Sequence, residues 1–309
     1  MEESCRAEPT LIVITGATAS GKSALAIDVA RRLGCEIISA DSRQLFRDIP
    51  IGTAAPTAEQ LAAVPHHLVG TLPLDGYYSA AQFETDALAI AERLWERSPY
   101  VVVCGGSMMY IDALTDGIDE LPTITEATRS LVLQMLEQQG LSGLLAYLEI
   151  LDPEYYAAVD RANTRRVVHA VEICLEAGVP YSQLRVRRRA ERPFRIIKTA
   201  IDMPREQLFA RINRRVEEMM EQGLLEEARR VYPLRHLNSL NTVGYKELFA
   251  YFDGAMDLPT ATARIAKNTR VYAKKQLTWL ARAGVRPTEW LPAAAPLPAL
   301  LALLRREPQ

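Results

Sequence analysis

Cysteine is scarce in this chain of 309 residues, and the spacing of the cysteines is typical of a protein without disulfides. Only four cysteines occur, at Cys5, Cys35, Cys104 and Cys174, and none belongs to a CxxC pair. Cys35 and Cys104 lie in or beside apolar runs that are typical of buried strands. The pattern argues against a disulfide framework or a zinc site and favours a reducing cytoplasm.

Long apolar runs and a strong charge of either sign are also missing. No apolar run approaches the ~20 residues of a bilayer span, and the acidic start MEESCRAEPT is unlike a secretory or transit peptide. We therefore expect a cytoplasmic protein that makes no use of a membrane. The net charge is only -2, so any binding of nucleic acid must depend on local basic patches.

The first third of the chain alternates short apolar runs with helical segments. Strands are predicted at 11–15 (LIVIT), 35–40 (CEIISA) and 100–104 (YVVVC), and helices at 23–33 and 80–95. Continuous apolar strands separated by helices indicate a parallel sheet covered on both faces. We expect an α/β fold with a P-loop kinase-like parallel sheet, whose ligands bind at the carboxyl ends of the strands.

The pattern becomes helical near residue 124, and a strand pattern returns only at 194–202 (FRIIKTAID). A small all-helical insertion domain in the core is therefore predicted. The predicted organisation is a first part of the core at 1–123, the insertion at 124–190, and the rest of the core at 191–309. Further helices are predicted at 125–148, 164–177, 205–231 and 260–283.

A complete GxxxxGK[ST] pattern stands between the first strand and the first helix. It comprises Gly16, Ala17, Thr18, Ala19, Ser20, Gly21, Lys22 and Ser23. The glycines allow successive N–H groups to point at phosphate oxygens, and the helix that follows adds its positive N-terminus. Lys22 supplies a point charge, and Ser23 supplies a hydroxyl for Mg²⁺. The pattern predicts a phosphorylated ligand, but kinases, NTPases and diphosphate-releasing transferases could all use it.

A carboxylate, Asp41, follows the second strand directly, which places it near the P-loop. Three roles are open to it: a general base, a magnesium ligand through water, or the N-cap of a helix. The polar residues Ser42, Arg43 and Gln44 come next, and such groups could hydrogen-bond the edge of a base.

The P-loop, DSRQLF (41–46) and GGSMMY (105–110) resemble successive signatures of the tRNA dimethylallyltransferases, also called isopentenyltransferases, of the bacterial type. Further matches continue in the same order from residue 11 to about 282. They are GTA (52–54), PHH (65–67), YSA (78–80), Phe83, NTRRV (163–167), NTVGYKE (241–247) and KKQLTWL (274–280).

The resemblance implies that the P-loop holds the diphosphate of dimethylallyl diphosphate, with Mg²⁺, rather than ATP. N6 of an adenine in the anticodon loop, at position 37, would attack the allylic carbon while Asp41 accepts its proton. Ser107, where the family usually has Thr, would help to hold the leaving diphosphate. Arg215 would neutralise its charge. Ala55 stands where the family often has Lys, which removes one candidate contact.

Two basic surfaces are expected to bind the anticodon stem-loop. Arg264, Lys267, Arg270 and Lys274 form a basic stripe on one helix, while Ile265, Tyr272 and Trp279 should face the core. The insertion would supply a second clamp: Arg129, Arg165, Arg166 and His169, the last at a position where Arg is usual. The resemblance also assigns tRNA binding to Asp41, Ser42, Arg43, Gln44, Ser107, Gly244, Tyr245 and Lys246. We expect the enzyme to act as a monomer.

Three other functions compete with this one. Asp41 could activate a hydroxyl for phosphoryl transfer in a P-loop kinase of a small metabolite. A related enzyme could prenylate free AMP, ADP or ATP with less of a helical insertion. A non-catalytic RNA binder that senses nucleotides would not need Lys22, Ser23 and Asp41 together.

Overall fold

A computed structural model of the chain describes residues 8–119, 121–186, 190–282 and 289–306. Six strands form one parallel sheet: β1 (Thr10–Thr15), β2 (Ile37–Ser39), β3 (His66–His67), β4 (Tyr100–Cys104), β5 (Arg195–Asp202) and β6 (Glu289–Pro292). Their order across the sheet is β3-β2-β4-β1-β5-β6, and β1 pairs Thr10 with Tyr100 on one side and with Arg195 on the other. The predicted α/β class with a parallel sheet is confirmed.

Both faces of the sheet are covered, as the unbroken apolar strands indicated. Leu11 and Val13 of β1 pack into one buried cluster, whereas Ile12 and Ile14 pack into another. Alternate residues of a strand point to opposite faces, so β1 contributes to both halves of the core. The helices of this part are α1 (Lys22–Leu33), α2 (Ala58–Ala63), α3 (Ala80–Trp95) and α4 (Met108–Asp116).

The chain divides into two compact units, Met1–Asp116 with Glu191–Gln309, and Gly117–Ala190. The described elements of the second unit are helices only: α5 (Glu126–Leu151), α6 (Pro153–Ala158), α7 (Thr164–Ala177) and α8 (Tyr181–Leu184). The buried Asp152 carboxyl joins two of them, because it accepts hydrogen bonds from Tyr155 N at 2.9 Å and from Ser182 N at 2.6 Å. The helix predicted at 125–148 kinks at Gly140, whose φ is 67°.

The rest of the first unit comprises α9 (Arg205–Glu221), α10 (Leu224–Val231), α11 (Tyr245–Phe252), α12 (Leu258–Leu280) and α13 (Pro296–Leu304). Short 3-10 turns occupy Tyr232–Leu234 and Asn238–Leu240. The single helix predicted at 205–231 is wrong, because Gly223 adopts a φ of 98° and starts a new helix.

The structure shows where the few cysteines lie and how apolar the helices are. Cys35, Cys104 and Cys174 are buried free thiols, and Cys5 lies outside the described residues. In the ranges that the structure describes, no helix has both the length and the apolar character needed to cross a bilayer.

Candidate active site

The P-loop leaves the end of β1 and enters α1 with a backbone that only a glycine-rich segment adopts easily. Gly16 and Gly21 have φ values of 142° and 100°, and Ala19 has a φ of 64° although it carries a Cβ. Gly21 is the N-cap of α1, so the free N–H groups of the first helical turn lie beside the loop. A loop and a helix start of this kind form an anion-binding site.

Two cations lie at this site. Burial lowers the pKa of Lys22, an effect that the nearby Asp41 carboxylate opposes, and Lys22 Nζ lies 3.5 Å from Ala17 O. Burial also lowers the pKa of Arg215, and the like charge of Arg211 adds to this shift. Among the described residues, the Arg215 guanidinium makes no hydrogen bond and no close ion pair, and the Glu218 carboxylate offsets the effect of burial only in part. Two partly buried cations with so few partners favour the binding of an anion between them.

Asp41 lies at the carboxyl end of β2, and its surroundings exclude one of its three possible roles. Its Oδ1 accepts a hydrogen bond from Arg43 N at 3.0 Å. The residues that follow form a turn, and in the described part of the chain the next helix begins only at Ala58. The possibility that Asp41 caps a helix is therefore wrong. Its carboxyl lines a cavity beside the P-loop, where a base or a metal ligand would be needed.

Ser107 follows β4, the neighbour of β2 in the sheet, and connects the two strand ends. Ser42 N donates to Ser107 Oγ at 2.8 Å, and the two hydroxyls lie 3.1 Å apart. The backbone N–H of Ser107 donates to Ala40 O at 3.1 Å. A Cβ on Gly105 would overlap Ala40 O, which explains the first glycine of the GGS segment. Ser107 thus fixes the position of the residue next to Asp41, and its predicted contact with diphosphate stays a prediction.

The side chains of Arg43 and Gln44 were expected to reach a base, but both are bonded within the chain. Arg43 Nη1 donates to the carbonyls of Asn238 and Ser239 at 3.1 and 3.2 Å. Gln44 Nε2 donates to Ala54 O at 2.9 Å, and Gln44 Oε1 accepts from Ser39 Oγ at 3.0 Å. Because both polar ends of the Gln44 amide are in use, its role here is to hold the turn at 51–54. Gln44 also lines a cavity beside Asp41, and its predicted contact with a base stays a prediction.

Two adjoining cavities open beside Asp41. The smaller, about 60 Å³, is lined by polar groups that include Lys22, Ser23 and His66, and we call it the polar cavity. The larger, about 340 Å³, has a wall formed by Ile212, Val216, Met219, Leu224, Val243 and Ile265, and we call it the apolar-walled cavity. Five residues line both: Thr18, Asp41, Thr53, Ala54 and Arg215. The two spaces together suit a ligand with an anionic end and an apolar end.

Four residues of the motif at 241–247 line the apolar-walled cavity, but Tyr245 does not. Its ring is fully buried, and its hydroxyl donates to Glu227 Oε1 at 2.6 Å. Glu227 also accepts from Ile51 N and Gly52 N, at 2.9 and 2.8 Å. The predicted contact of Tyr245 with tRNA is therefore wrong for its side chain, which supports the turn at 51–54 instead. Gly244 and exposed Lys246 remain predicted tRNA contacts.

The basic stripe of α12 is present, but one of the three residues predicted to face the core, Tyr272, does not. Arg264, Lys267 and Lys274 are exposed, while Arg270 donates to Asn213 Oδ1. Ile265 and Trp279 are buried as expected, but Tyr272 is 38% exposed and lines the apolar-walled cavity. Around the helix Tyr272 lies between these two buried residues, so its exposure comes from the open cavity beside it and not from its position in the repeat.

In the helical unit, Arg165, Arg166 and His169 share a cavity of about 550 Å³ with Tyr155, Tyr181 and Arg185. Arg129 does not line this cavity, but it lies near His169: its Nε is 3.9 Å from Glu172 Oε1, and His169 Nδ1 is 4.0 Å from Glu172 Oε2. Partial burial lowers the pKa of His169, and the charge of Arg129 adds to the effect. The structure thus brings three of the four residues together, and it favours a neutral His169 that would bind phosphate weakly.

Sequence reasoning assigned no role to Gln276, which is almost fully buried and is bonded to two of the motifs. A signal was available, because Gln276 stands on the same side of α12 as Ile265 and Trp279, where an apolar residue would be expected. A polar residue on a buried helix face needs a partner.

The whole chain is similar to known proteins in sequence and in structure. The family model of the IPP transferases matches residues 44–283. The tRNA dimethylallyltransferase 1 of Phocaeicola vulgatus is 56% identical over 88% of this chain and 91% of its own length. The full-length tRNA isopentenylpyrophosphate transferase of Bacillus halodurans is 32% identical, with a TM-score of 0.66 over 97% of this chain and all of that one.

A eukaryotic dimethylallyltransferase, crystallised as it acts on tRNA, is 25% identical to this chain. Its TM-score is 0.78 over 92% of this chain and 74% of its own. The match to the family model spans more than half of the chain, and the curated relative exceeds half identity. This chain belongs to the IPP transferase family.

Proposed function

We propose that this chain transfers the dimethylallyl group of dimethylallyl diphosphate to N6 of an adenosine in tRNA, at position 37 beside the anticodon, and releases diphosphate. The observation that carries the proposal is the pair of cavities that meet at Asp41, one lined by phosphate-binding groups and the other walled by apolar side chains. The relatives named as tRNA dimethylallyltransferases support it.

The polar cavity suits the diphosphate end of the donor. As the bond between C1 of the allyl group and the diphosphate oxygen breaks, the electron pair leaves with the oxygen. Lys22 and Arg215 line this cavity beside the start of α1, and they would meet the negative charge that collects there. Donors that are already in position stabilise a developing charge more than water does, because they need no reorganisation.

Magnesium fits the same place as a companion of the diphosphate. The Ser23 hydroxyl is exposed at the start of α1 and lines the polar cavity. No group of three or more His, Cys, Asp and Glu residues that could hold a metal occurs within the ranges described above. Mg²⁺ commonly binds through one or two protein oxygens, several waters and substrate phosphates, so Ser23 would hold it together with the donor. It would add positive charge to the leaving group.

Asp41 is placed to act on the acceptor because it lines both cavities. The exocyclic amine of adenine is a weak nucleophile. We assign Asp41 as the general base: it takes one N6 proton as the new bond between N6 and C1 forms. A positioned base of this kind typically contributes ~10²–10⁴-fold. The adenine would leave its stack to reach this carboxylate, and sequence in RNA is read at such unstacked bases.

The RNA would be held through phosphate contacts with the α12 stripe and with the exposed Arg165 and Arg166. These are separate surfaces of the two compact units, and each is basic in its own right.

The test is incubation with dimethylallyl diphosphate, Mg²⁺ and unmodified tRNA, followed by mass analysis of the nucleosides. We expect adenosine to gain one C5H8 group. Equal modification of free AMP would contradict the tRNA assignment. Hydrolysis of ATP without RNA, with no prenyl transfer, would favour the small-metabolite kinase.

A further inference from the structure

The side chain of Gln276, on α12, lies between two loops of the active site. It is only 2% exposed, and both ends of its amide are hydrogen-bonded. Its Oε1 accepts a hydrogen bond from Thr18 N, in the P-loop, at 2.8 Å. Its Nε2 donates to Gly106 O, in the loop after β4, at 2.9 Å. One side chain thus joins residues that lie 258 and 170 positions away in the sequence.

The first bond changes what the P-loop can offer. In a loop of this type successive N–H groups point at the bound phosphates, but here the Thr18 N–H is directed to Gln276. Thr18 also lines both cavities, so the loop is held at the place where they join. Ala19, the next residue, has a φ of 64°. A residue with a Cβ keeps such a conformation only where its surroundings enforce it.

The second bond reaches the loop that positions Asp41. A Cβ on Gly106 would overlap Gln276 Nε2, so the second glycine of the GGS segment makes room for this amide. Ser107 follows directly, and its Oγ accepts the hydrogen bond from Ser42 N, beside Asp41. Contacts therefore run from the phosphate loop through Gln276 and Ser107 to the residue next to the base.

We propose that Gln276 is a positioning residue, which sets the P-loop relative to Asp41 so that the donor carbon faces the attacking amine. The proposal rests on the proposed function, because it concerns the reaction at Asp41. Gln276 does not need to touch either substrate. A displacement of about 1 Å between reacting groups can cost ~10²-fold in rate, and one buried amide that is bonded to both loops has the reach to prevent it.

The first test is Gln276→Leu, which at similar volume removes the hydrogen bonds to both loops and the contact of the amide with the Tyr272 hydroxyl. We expect kcat/KM for dimethylallyl diphosphate to fall by ~10- to 100-fold, while the Kd for tRNA changes less than threefold. Thr278→Ala is the matched control, because Thr278 is exposed on the same helix and its hydroxyl donates to Lys274 O within that helix. Rates are compared at a temperature at which circular dichroism shows every variant folded.

Gln276→Glu separates positioning from mere structural support. When protonated, the introduced carboxyl can accept from Thr18 N and donate to Gly106 O, as the amide does. When ionised, it has no proton to donate, so its oxygen and Gly106 O face each other as two acceptors and repel. The ratio of its kcat/KM to that of the wild type should therefore rise as the pH falls from 8.5 to 6. Burial raises the pKa of Tyr272, which also donates to Gly106 O, to about 12, so Tyr272 stays protonated in this range. A ratio that stays flat with pH overturns the proposal.

A double-mutant cycle provides the second criterion. Gly106→Ala should displace the Gln276 amide and reproduce the kinetic loss, so the double variant with Gln276→Leu should be little worse than either single variant. Additive losses would show that the two residues act separately, and would refute the inference. If the wild type transfers no prenyl group at all, the proposed function fails; if it does and Gln276→Leu matches it, only this inference fails.

Discussion

The two cavities that meet at Asp41 differ in chemistry and in the way the chain builds them. Most of the polar cavity comes from the P-loop and from the ends of β2 and β4, which one parallel sheet brings to the same edge. The apolar wall of the other cavity comes from α9, the start of α10, the turn before α11, and α12, which follow one another in the sequence. One side has Lys22 and the start of α1 beside it, and the other is walled mainly by apolar side chains.

The difference matches the proposed donor, which has a highly charged end and an apolar end. It also places the base, since Asp41 and Arg215 are common to both cavities, at the boundary where the bond would break. Substitutions at the boundary should therefore affect chemistry, and those on one side should affect binding. The predictions below test this separation.

A substitution at the boundary between the two cavities should have the largest effect on the rate of the reaction. Asp41→Asn keeps the shape and most hydrogen bonds but removes the base, so kcat should fall by ~10²–10⁴-fold while tRNA affinity stays nearly constant. Single-turnover rates with labelled donor measure the first quantity, and filter binding measures the second. Asp28→Asn, at an exposed position on α1, serves as the control. A variant at Asp41 with the rate of the wild type would leave the reaction without the proposed base.

The polar cavity should show a smaller effect, confined to the donor. Lys22→Ala removes a cation that faces phosphate, so donor binding should weaken by ~10- to 100-fold, the equivalent of 1.5–3 kcal/mol for a charged hydrogen bond. Because burial lowers the pKa of Lys22, its charge is lost at a lower pH than that of an ordinary lysine. Affinity of the wild type for the donor should therefore decline as the pH rises through this lowered pKa.

Isothermal calorimetry over a pH series, with Lys275→Ala as an exposed-lysine control, measures both effects. If the pH dependence persists unchanged in Lys22→Ala, the titrating group is another residue.

The support beneath the apolar-walled cavity should affect stability more than chemistry. Tyr245→Phe removes a hydroxyl that is buried against Glu227, so the free energy of unfolding should fall by about 1–3 kcal/mol. Urea denaturation measures this, and Tyr77→Phe, at a side chain that is 69% exposed, should have no comparable effect. Loss of tRNA affinity without loss of stability would restore Tyr245 to the RNA contacts.

The same contrast explains how much the sequence could predict. The P-loop, the strands at 100–104 and 194–202, and the helices at 80–95 and 164–177 depend on local patterns, and they were predicted to within a residue or two. Asp41 was found because parallel strands end at one edge. Gln44, Tyr245 and Gln276 were not understood, because the partners of their side chains come from distant segments or from turns that have no local signal. Gly223 and Gly140 interrupted predicted helices through positive φ values.

The smallest effect of a substitution, measured as tRNA affinity at any one salt concentration, is expected in the helical unit, away from both cavities. Arg165 and Arg166 are exposed, and in the described part of the chain neither has a carboxylate partner. Each phosphate that a cation neutralises releases counterions. Every such contact steepens the slope of log affinity against log salt concentration by ~0.7–0.9. The predicted phosphate contacts are the four of the α12 stripe and the four of the insertion, and if half of these eight form, the slope of the wild type is roughly -3.

Replacing Arg165 and Arg166 together by Ala should flatten that slope by about one to two units. Donor binding should not change, because the charge removed acts on RNA phosphates and the donor is held by the P-loop. Arg31 and Arg32, an adjacent exposed pair at the end of α1, provide the matched control, whose replacement should leave the slope as it was. Equal flattening by both pairs would mean that overall charge, rather than a contact surface on the helical unit, determines the salt dependence. Salt-independent binding of tRNA by the wild type would contradict the RNA assignment itself and favour an enzyme that prenylates free nucleotides.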